Sequence, residues 1–374
     1  MKDQIQIPET IENWINGKEA AAGAVFEKRS PHDGSLLFLV ARSGPDDVEK
    51  AVEAAVPAQK KWAAVPAVER GHLLHQACNL MEKNQSLIAR VVADETGKSF
   101  SEAFGETGGA IALGRFYAGE GQRLYGRTTT SGAENKHAMT VRQPIGVAGL
   151  IIAANTPIAN AAWKVFPALI CGNSAVLKAA EDTPATAWIF SKILHDAGIP
   201  DGVLNVIQGY GPEAGSPLVE DKRVSVISFT GSTAVGREIA EKGARRLARV
   251  SLELGGKNPL VVCDDADLDN AVKWVCLSAF SNAGQRCAAC SRVIVFESVY
   301  DAFRDRLAEA AGKLKVGPED SDDLGPVINE KQLGNMLGAI EKARSGGAKV
   351  LCGGRRLTGE AYQNGCYMAP TVME

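Results

Sequence analysis

From residue 45 onward the hydrophobic and polar positions fall at helical spacing. "PDDVEKAVEAAVPAQKKWAAV" opens with Pro and acids, which favour a first helical turn, and then repeats Val and Ala at intervals of three and four. "AVERGHLLHQACNLMEKN" and "QSLIARVVADETGK" continue the pattern, and "SFSEAFGETGGAIALGRFYAGEG" adds a fourth, Gly-rich helical stretch. At residue 128 the texture changes: "TTTSGAENKHAMTVRQP" is polar and β-prone, like a hairpin standing away from the body. Apolar strands then alternate with helices. "IGVAGLIIAAN", "SAVLKAAE", "GVLNVIQGYG", "RVSVISFTGS" and "LARVSLELGG" read as strands, separated by the helices "PIANAAWKVFPALICG", "TPATAWIFSKILHDAG" and "TAVGREIAEKGAR". Apolar strands separated by helices predict a parallel, doubly wound α/β sheet. A second α/β segment begins near Lys257 with "NPLVVC" and continues through the helix "DLDNAVKWVCLSAFSNAG", the strand "SRVIVF" and the helix "SVYDAFRDRLAEAAGKL". A helix around "EKQLGNMLGAIEKARSGG" and a strand at "AKVLCGG" follow.

Composition narrows the classes. The 374 residues suffice for two or more domains, and 45% apolar with 23% charged residues is ordinary for a soluble globular chain. A net charge of −3 provides no field to recruit nucleic acid or an anionic membrane, and the basic run "GARRLAR" reads as a solvated helix end. The N-terminal stretch lacks an apolar core of signal-peptide length, and runs such as "GVAGLIIAA" are too short to cross a bilayer. The expected location is cytoplasmic, where thiols stay reduced, so the eight cysteines do not form a disulfide framework. Cys78, Cys171, Cys263, Cys276, Cys352 and Cys366 are expected to pack among apolar neighbours. His72 and His75 lie three apart on the second helix, which reads as a surface pair rather than half a metal site; no metal is expected.

In an open parallel sheet ligands bind beyond the carboxyl ends of the strands. That rule selects Asn155, Lys178, Glu181, the turn 209–215, Gly231, Ser232 and Glu253 along one edge. "FTGSTAVGRE" has G-x-x-x-x-G spacing, but Arg237 and Glu238 replace the Lys and Ser/Thr of a P-loop, and G-x-G-x-x-G is absent. What remains is a Gly-Ser turn opening a helix: a phosphate cradle, or simply a turn capped by Ser232 or Thr233. Lys178 and Glu181 suit ribose hydroxyls, and a carboxylate there favours NAD over NADP; a surface ion pair is the alternative. Glu253 has apolar flanks and two following glycines, which suits either a general base or a solvated strand end. Cys287 follows Gly284-Gln285-Arg286 in a turn, where a nucleophile and a structural cysteine are equally open. With Cys290 it forms a Cys-x-x-Cys, but the pair follows a helix and enters a strand, unlike a thioredoxin motif, and no second close pair completes a zinc site.

Taken together, "LELGGKNP" with Glu253, "NAGQRCAA" with Cys287 34 residues later, "WKVFPALICGNSAVLKAAEDTP", "GYGPEAG" and "FTGSTAVG" resemble the NAD(P)-dependent aldehyde dehydrogenase superfamily in order and spacing. The resemblance implies a Rossmann-like NAD-binding domain (1–127 and 143–252), an oligomerisation hairpin (128–142) and a second α/β catalytic domain (253–374). It implies that Cys287 is the nucleophile, that Asn155 and the Cys287 N–H form the oxyanion hole, that Glu253 activates water, and that Lys164 belongs to a proton-handling network. Lys178 and Glu181 would contact the adenosine ribose. Ile152, Ala153, Ala154, Gly211, Gly215, Gly231, Ser232, Val235, Leu254 and Gly255 would line the rest of the cofactor site. The implied reaction is NAD-dependent oxidation of an aldehyde to an acid, in a homodimer or homotetramer; the alternative is a non-catalytic NAD-binding remnant of the same fold. Three departures stand out. Ala153-Ala154 replace the usual Pro-Trp before Asn155, and Cys290 stands where a small residue is usual. The chain also stops before the family's E-x-F-G-P segment, so the resemblance implies an incomplete catalytic domain and 374 residues that are, on their own, inactive or poorly folded.

Overall fold

The computed structural model describes residues 5–374; residues 1–4, the start of the stretch read for a signal peptide, lie outside the described residues. The chain forms two compact units. The first comprises residues up to Glu27, Phe38–Ile88 and Gly105–Glu253; the second comprises Lys28–Leu37, Ala89–Phe104 and Leu254–Glu374. Residues 28–37 and 89–104 therefore cluster with the C-terminal part, an interleaving that a left-to-right reading of the chain did not anticipate.

In the first unit a seven-stranded sheet is built from β1 (Asn13–Ile15), β2 (Lys18–Ala20), β3 (Val147–Ile151), β4 (Ser174–Lys178), β5 (Leu204–Ile207), β6 (Val224–Gly231) and β7 (Arg249–Leu254), in the order β7-β6-β3-β4-β5-β1-β2. The four central strands β6, β3, β4 and β5 run parallel to one another, as expected. All residues of β3, β4 and β5 are buried, which accounts for their unbroken apolar runs. Helices α1 (Pro45–Ala64), α2 (Ala67–Lys83), α3 (Phe100–Gly119, whose residues 100–104 belong to the second unit), α4 (Pro157–Ile170), α5 (Pro184–Asp196) and α6 (Thr233–Arg245) accompany the sheet. Trp62 on α1 donates its indole N–H to Leu169 O at 2.8 Å, and Ser174 Oγ donates to Ala55 O at 2.9 Å, so α1 is tied to the α4–β4 connection. Phe166 and Phe190 meet edge to face, with ring centroids 5.7 Å apart, locking α4 to α5.

The sheet is not wholly parallel. β1 pairs antiparallel with β5, and β2 antiparallel with β1. Asn16 and Gly17 join them with φ of 52° and 78°, the left-handed pair that a tight hairpin demands. The Asn-Gly dipeptide is the sequence signal for this turn, and it lies ahead of the helical periodicity that begins at residue 45. The strands Thr128–Thr130 and His137–Met139 do form the expected hairpin, and all six residues are exposed.

In the second unit β8 (Asn258–Val262) and β9 (Cys290–Val295) pair in parallel across α7 (Leu268–Phe280). Val262, Val272, Val275, Phe303 and Leu307 form its core, the last two from α8 (Tyr300–Lys313). A smaller cluster of Val327, Leu333 and Cys366 lies against α9 (Glu330–Ser345). Asp267 caps α7, its carboxylate accepting the Asp269 and Asn270 N–H groups, each at 3.1 Å.

All eight cysteines are free thiols. Packing holds for Cys78 and Cys366, but Cys263 is exposed, contrary to expectation, because it follows the last residue of β8. Among the described residues no His/Cys/Asp/Glu cluster is suited to a metal, and no helix is long and apolar enough to cross a membrane.

Candidate active site

Strand order locates the first part of the site. From β3 the chain moves to β4 and β5 on one side, then crosses to β6 on the other. The crevice of such a sheet opens at that switch, beyond the ends of β3 and β6. At the end of β3, Ile152 is buried, and Ala153, Ala154 and Asn155 are half-buried as they lead into α4, where Pro157 takes the first helical position. Asn160, on the first turn of α4, donates from Nδ2 to Asn155 Oδ1 at 3.4 Å, Thr156 Oγ1 at 3.1 Å and Ala153 O at 3.4 Å. The Ala159 N–H donates to Glu106 Oε1 at 3.2 Å, placing a carboxylate at the helix N-terminus. Sequence reasoning missed both Asn160 and Glu106.

Lys164, one turn further along α4, is buried and donates to Ser228 Oγ on β6 at 2.8 Å. Burial pushes its pKa down to about 8, partly opposed by the charge of Glu253. Glu253 itself stands exposed on β7. Lys178 ends β4 with its side chain 3% exposed and its Nζ 3.0 Å from Glu181 Oε2, whose side chain is 45% exposed. The ammonium is buried while its carboxylate partner faces solvent, at the sheet's carboxyl edge.

Beyond β5, Gly211–Gly215 forms a wide π-type turn, with Gly215 buried. Arg42 fixes it with two bonds to Glu213, at 2.7 and 2.6 Å. Gly231 ends β6; a Cβ there would lie 2.4 Å from the Phe229 ring, so its own strand already demands glycine. Of the two cap candidates Ser232 is the cap, its Oγ accepting the Val235 N–H at 3.3 Å, and the Val235 side chain is exposed. Thr183 sits in the N-cap position of α5 without making a side-chain cap bond. These elements suit a dinucleotide: a helix N-terminus at the switch point, a carboxylate for a ribose diol, and an exposed apolar side chain on the first turn of α6.

The second unit holds the cysteine loop. Leu254, half-buried, and Gly255, exposed, lead toward β8. Beyond α7, Asn282, Ala283 and Gly284 take φ of 54°, 52° and 70°. Left-handed backbone costs a non-glycine residue ~1–2 kcal/mol, so this turn must be held from outside. Gln285 donates from Nε2 to Asn282 O at 3.1 Å and accepts the Ile328 N–H at 3.0 Å. The Asn282 N–H donates to Glu102 Oε1 at 2.9 Å. On the far side of Cys287, Asn258 Nδ2 donates to Cys287 O at 2.5 Å and Ala289 O at 3.2 Å. Cys287 is exposed. Cys290 begins β9 half-buried, with its thiol donating to Arg292 O at 3.5 Å and burial pushing its pKa up. The two cysteines thus occupy unlike environments. A cavity of about 640 Å³ lines the β9 side of this unit; Cys290 borders it and Cys287 does not.

The sequence profile of the aldehyde dehydrogenase family matches residues 14–374. The chain belongs to that family. It is 38% identical over 370 residues to the alpha-ketoglutaric semialdehyde dehydrogenase of Bacillus subtilis (strain 168), covering 98% of this chain and 76% of the relative. It is 37% identical over 363 residues to the D-glyceraldehyde dehydrogenase (NADP(+)) of Thermoplasma acidophilum, covering 96% and 73%. An aldehyde dehydrogenase from Bacillus cereus, solved as its NAD+ complex, superposes with a TM-score of 0.94 at 34% identity, over 98% of this chain and 75% of that one.

Proposed function

We propose that this protein oxidises an aldehyde to the carboxylic acid, using NAD in preference to NADP. The observation that carries the reading is Cys287: an exposed thiol three residues after a left-handed turn, in a loop held by side-chain hydrogen bonds to the Asn282 N–H before it and to its own carbonyl. A bound nicotinamide dinucleotide supplies the hydride acceptor. The Cys287 thiolate adds to the aldehyde carbon, giving a thiohemiacetal whose oxyanion takes hydrogen bonds from the Asn155 Nδ2 and the Cys287 N–H. The bond from Asn160 occupies the Asn155 carbonyl oxygen and so turns the amide's donor side to this task. Loss of hydride from the same carbon leaves a thioester on Cys287. Glu253 takes a proton from water, the resulting hydroxide attacks the thioester, and acid and thiolate are released. Lys164, with a pKa of about 8, exchanges protons readily at neutral pH and relays the one that Glu253 acquires.

Lys178 and Glu181 hold the adenosine ribose, and the Glu181 carboxylate repels a 2′-phosphate. Ile152, Ala153, Ala154, Gly211, Gly215, Gly231, Ser232, Val235, Leu254 and Gly255 line the cofactor path, with the Ser232-capped helix N-terminus toward the pyrophosphate. The fully exposed hairpin at 128–142 pairs with other copies of the chain in a dimer or tetramer. Eight free thiols suit a reducing, cytoplasmic setting. The test is aldehyde-dependent NADH formation with stoichiometric acid. Full-length wild type is expected to show both, and Cys287→Ser neither; equal rates for the two would overturn the reading.

A further inference from the structure

We infer that Glu102 is a positioning residue for the nucleophile: its carboxylate holds the turn that presents Cys287. The inference rests on Cys287 being the nucleophile and goes further, to what fixes that thiol in place.

Three consecutive residues, Asn282, Ala283 and Gly284, run with positive φ, and two of them carry side chains that disfavour it. Gly284 has no room for anything larger, since a Cβ would lie 2.8 Å from Ala279 O. A turn of this kind persists only where its surroundings over-determine it. Gln285 closes it from within, through Asn282 O. From the α3 side it is held by Glu102, on the first turn of that helix, whose Oε1 accepts the Asn282 N–H at 2.9 Å and lies 3.4 Å from Arg286 Nη2. Asn282 is 4% exposed and the Glu102 side chain 22% exposed, so water competes poorly for this bond, and a charged acceptor makes it one of the stronger kind. One oxygen atom therefore contacts residues both five and one before Cys287.

Without that acceptor a buried N–H loses its partner, and the turn can relax toward ordinary backbone angles, carrying Cys287 with it. Small displacements of a reacting atom are enough to cost about a hundredfold in rate. The main bond needs an acceptor at the right distance. The isosteric Gln keeps that acceptor and gives up only the charge facing Arg286, whereas Asp keeps the charge and withdraws the oxygen by one methylene.

The experiment compares Glu102→Gln, Glu102→Asp and Glu102→Ala by steady-state kcat, by KM for NAD, and by the rate at which iodoacetamide alkylates Cys287, mapped by peptide mass. Glu102→Ala is expected to lose about a hundredfold in kcat with KM for NAD unchanged. Glu102→Gln should stay within about tenfold of wild type and clearly above Glu102→Asp, with alkylation rates in the same order. That order remains readable if Glu102→Ala fails to fold. Glu102→Asp equal to or better than Glu102→Gln would overturn the inference, as would wild-type kcat and alkylation in Glu102→Asp. If Cys287→Ser retains turnover, the nucleophile assignment fails on its own. The alkylation order at Cys287 then still decides whether Glu102 sets that thiol's position.

Discussion

Replacing Lys164 by Met tests the electrostatics of α4 quantitatively. Met matches the length and packing of the Lys stem and removes the ammonium. In the folded protein burial lowers the Lys164 pKa from 10.5 to about 8, a bias of about 3 kcal/mol against the charged form at ~1.4 kcal/mol per pH unit. In the unfolded chain the same lysine stays protonated to about pH 10.4. Between about pH 8 and about pH 10.4 the unfolded state therefore binds more protons, and stability rises with pH. Below about pH 8 both states carry the charge and the burial cost stands in full. Other groups act in the opposite sense: burial pushes Cys78 and Cys366 up to about 11, so the unfolded state sheds those protons first and stability falls as pH rises above about 8.5. The wild-type curve alone mixes the two, but the difference between wild type and Lys164→Met isolates the lysine. From urea unfolding between about pH 7 and about pH 9.5, wild type should gain about 2 kcal/mol relative to the variant. The bond to Ser228 Oγ offsets the comparison by about 1 kcal/mol at every pH without changing its slope. Parallel curves would refute the lowered pKa.

Glu181→Gln keeps an acceptor for the buried Lys178 ammonium while removing the negative charge at the sheet edge. The ratio of kcat/KM for NAD over NADP should fall by about tenfold, the equivalent of ~1.4 kcal/mol, and an unchanged ratio would remove Glu181 from cofactor selection. Cys290→Ser should stay within about twofold of wild-type kcat, because the thiol makes only a weak bond to Arg292 O; a variant as inactive as Cys287→Ser would show that the two cysteines act together.

The sequence was most informative where periodicity and strand ends coincide. The α/β alternation from residue 143 onward appears in the structure element by element, because fully buried parallel strands leave unbroken apolar runs that cannot be mistaken for helix surface. The expected strand ends near Asn155, Lys178 and Ser232 also appear, at Ile151, Lys178 and Gly231. Short elements with little periodicity escaped: β1 and β2 have three residues each, and only the Asn16-Gly17 turn announces them. Lys164 looked like any helix lysine, since its burial depends on β6, sixty-four residues away. Glu102 was hidden for a related reason. Its partner Asn282 lies 180 residues along the chain, and nothing local in "SFSEAFGE" distinguishes a carboxylate that holds a distant turn from one facing water.

The central claim is that an acyl group passes through Cys287. Mixing enzyme, NAD and aldehyde, quenching in acid during turnover and mapping the adduct by peptide mass tests it most directly. The account predicts an acyl thioester on the peptide containing Cys287, accumulating further in Glu253→Gln, where water is not activated. Steady turnover with no adduct on that peptide, or an adduct on another cysteine, would contradict it.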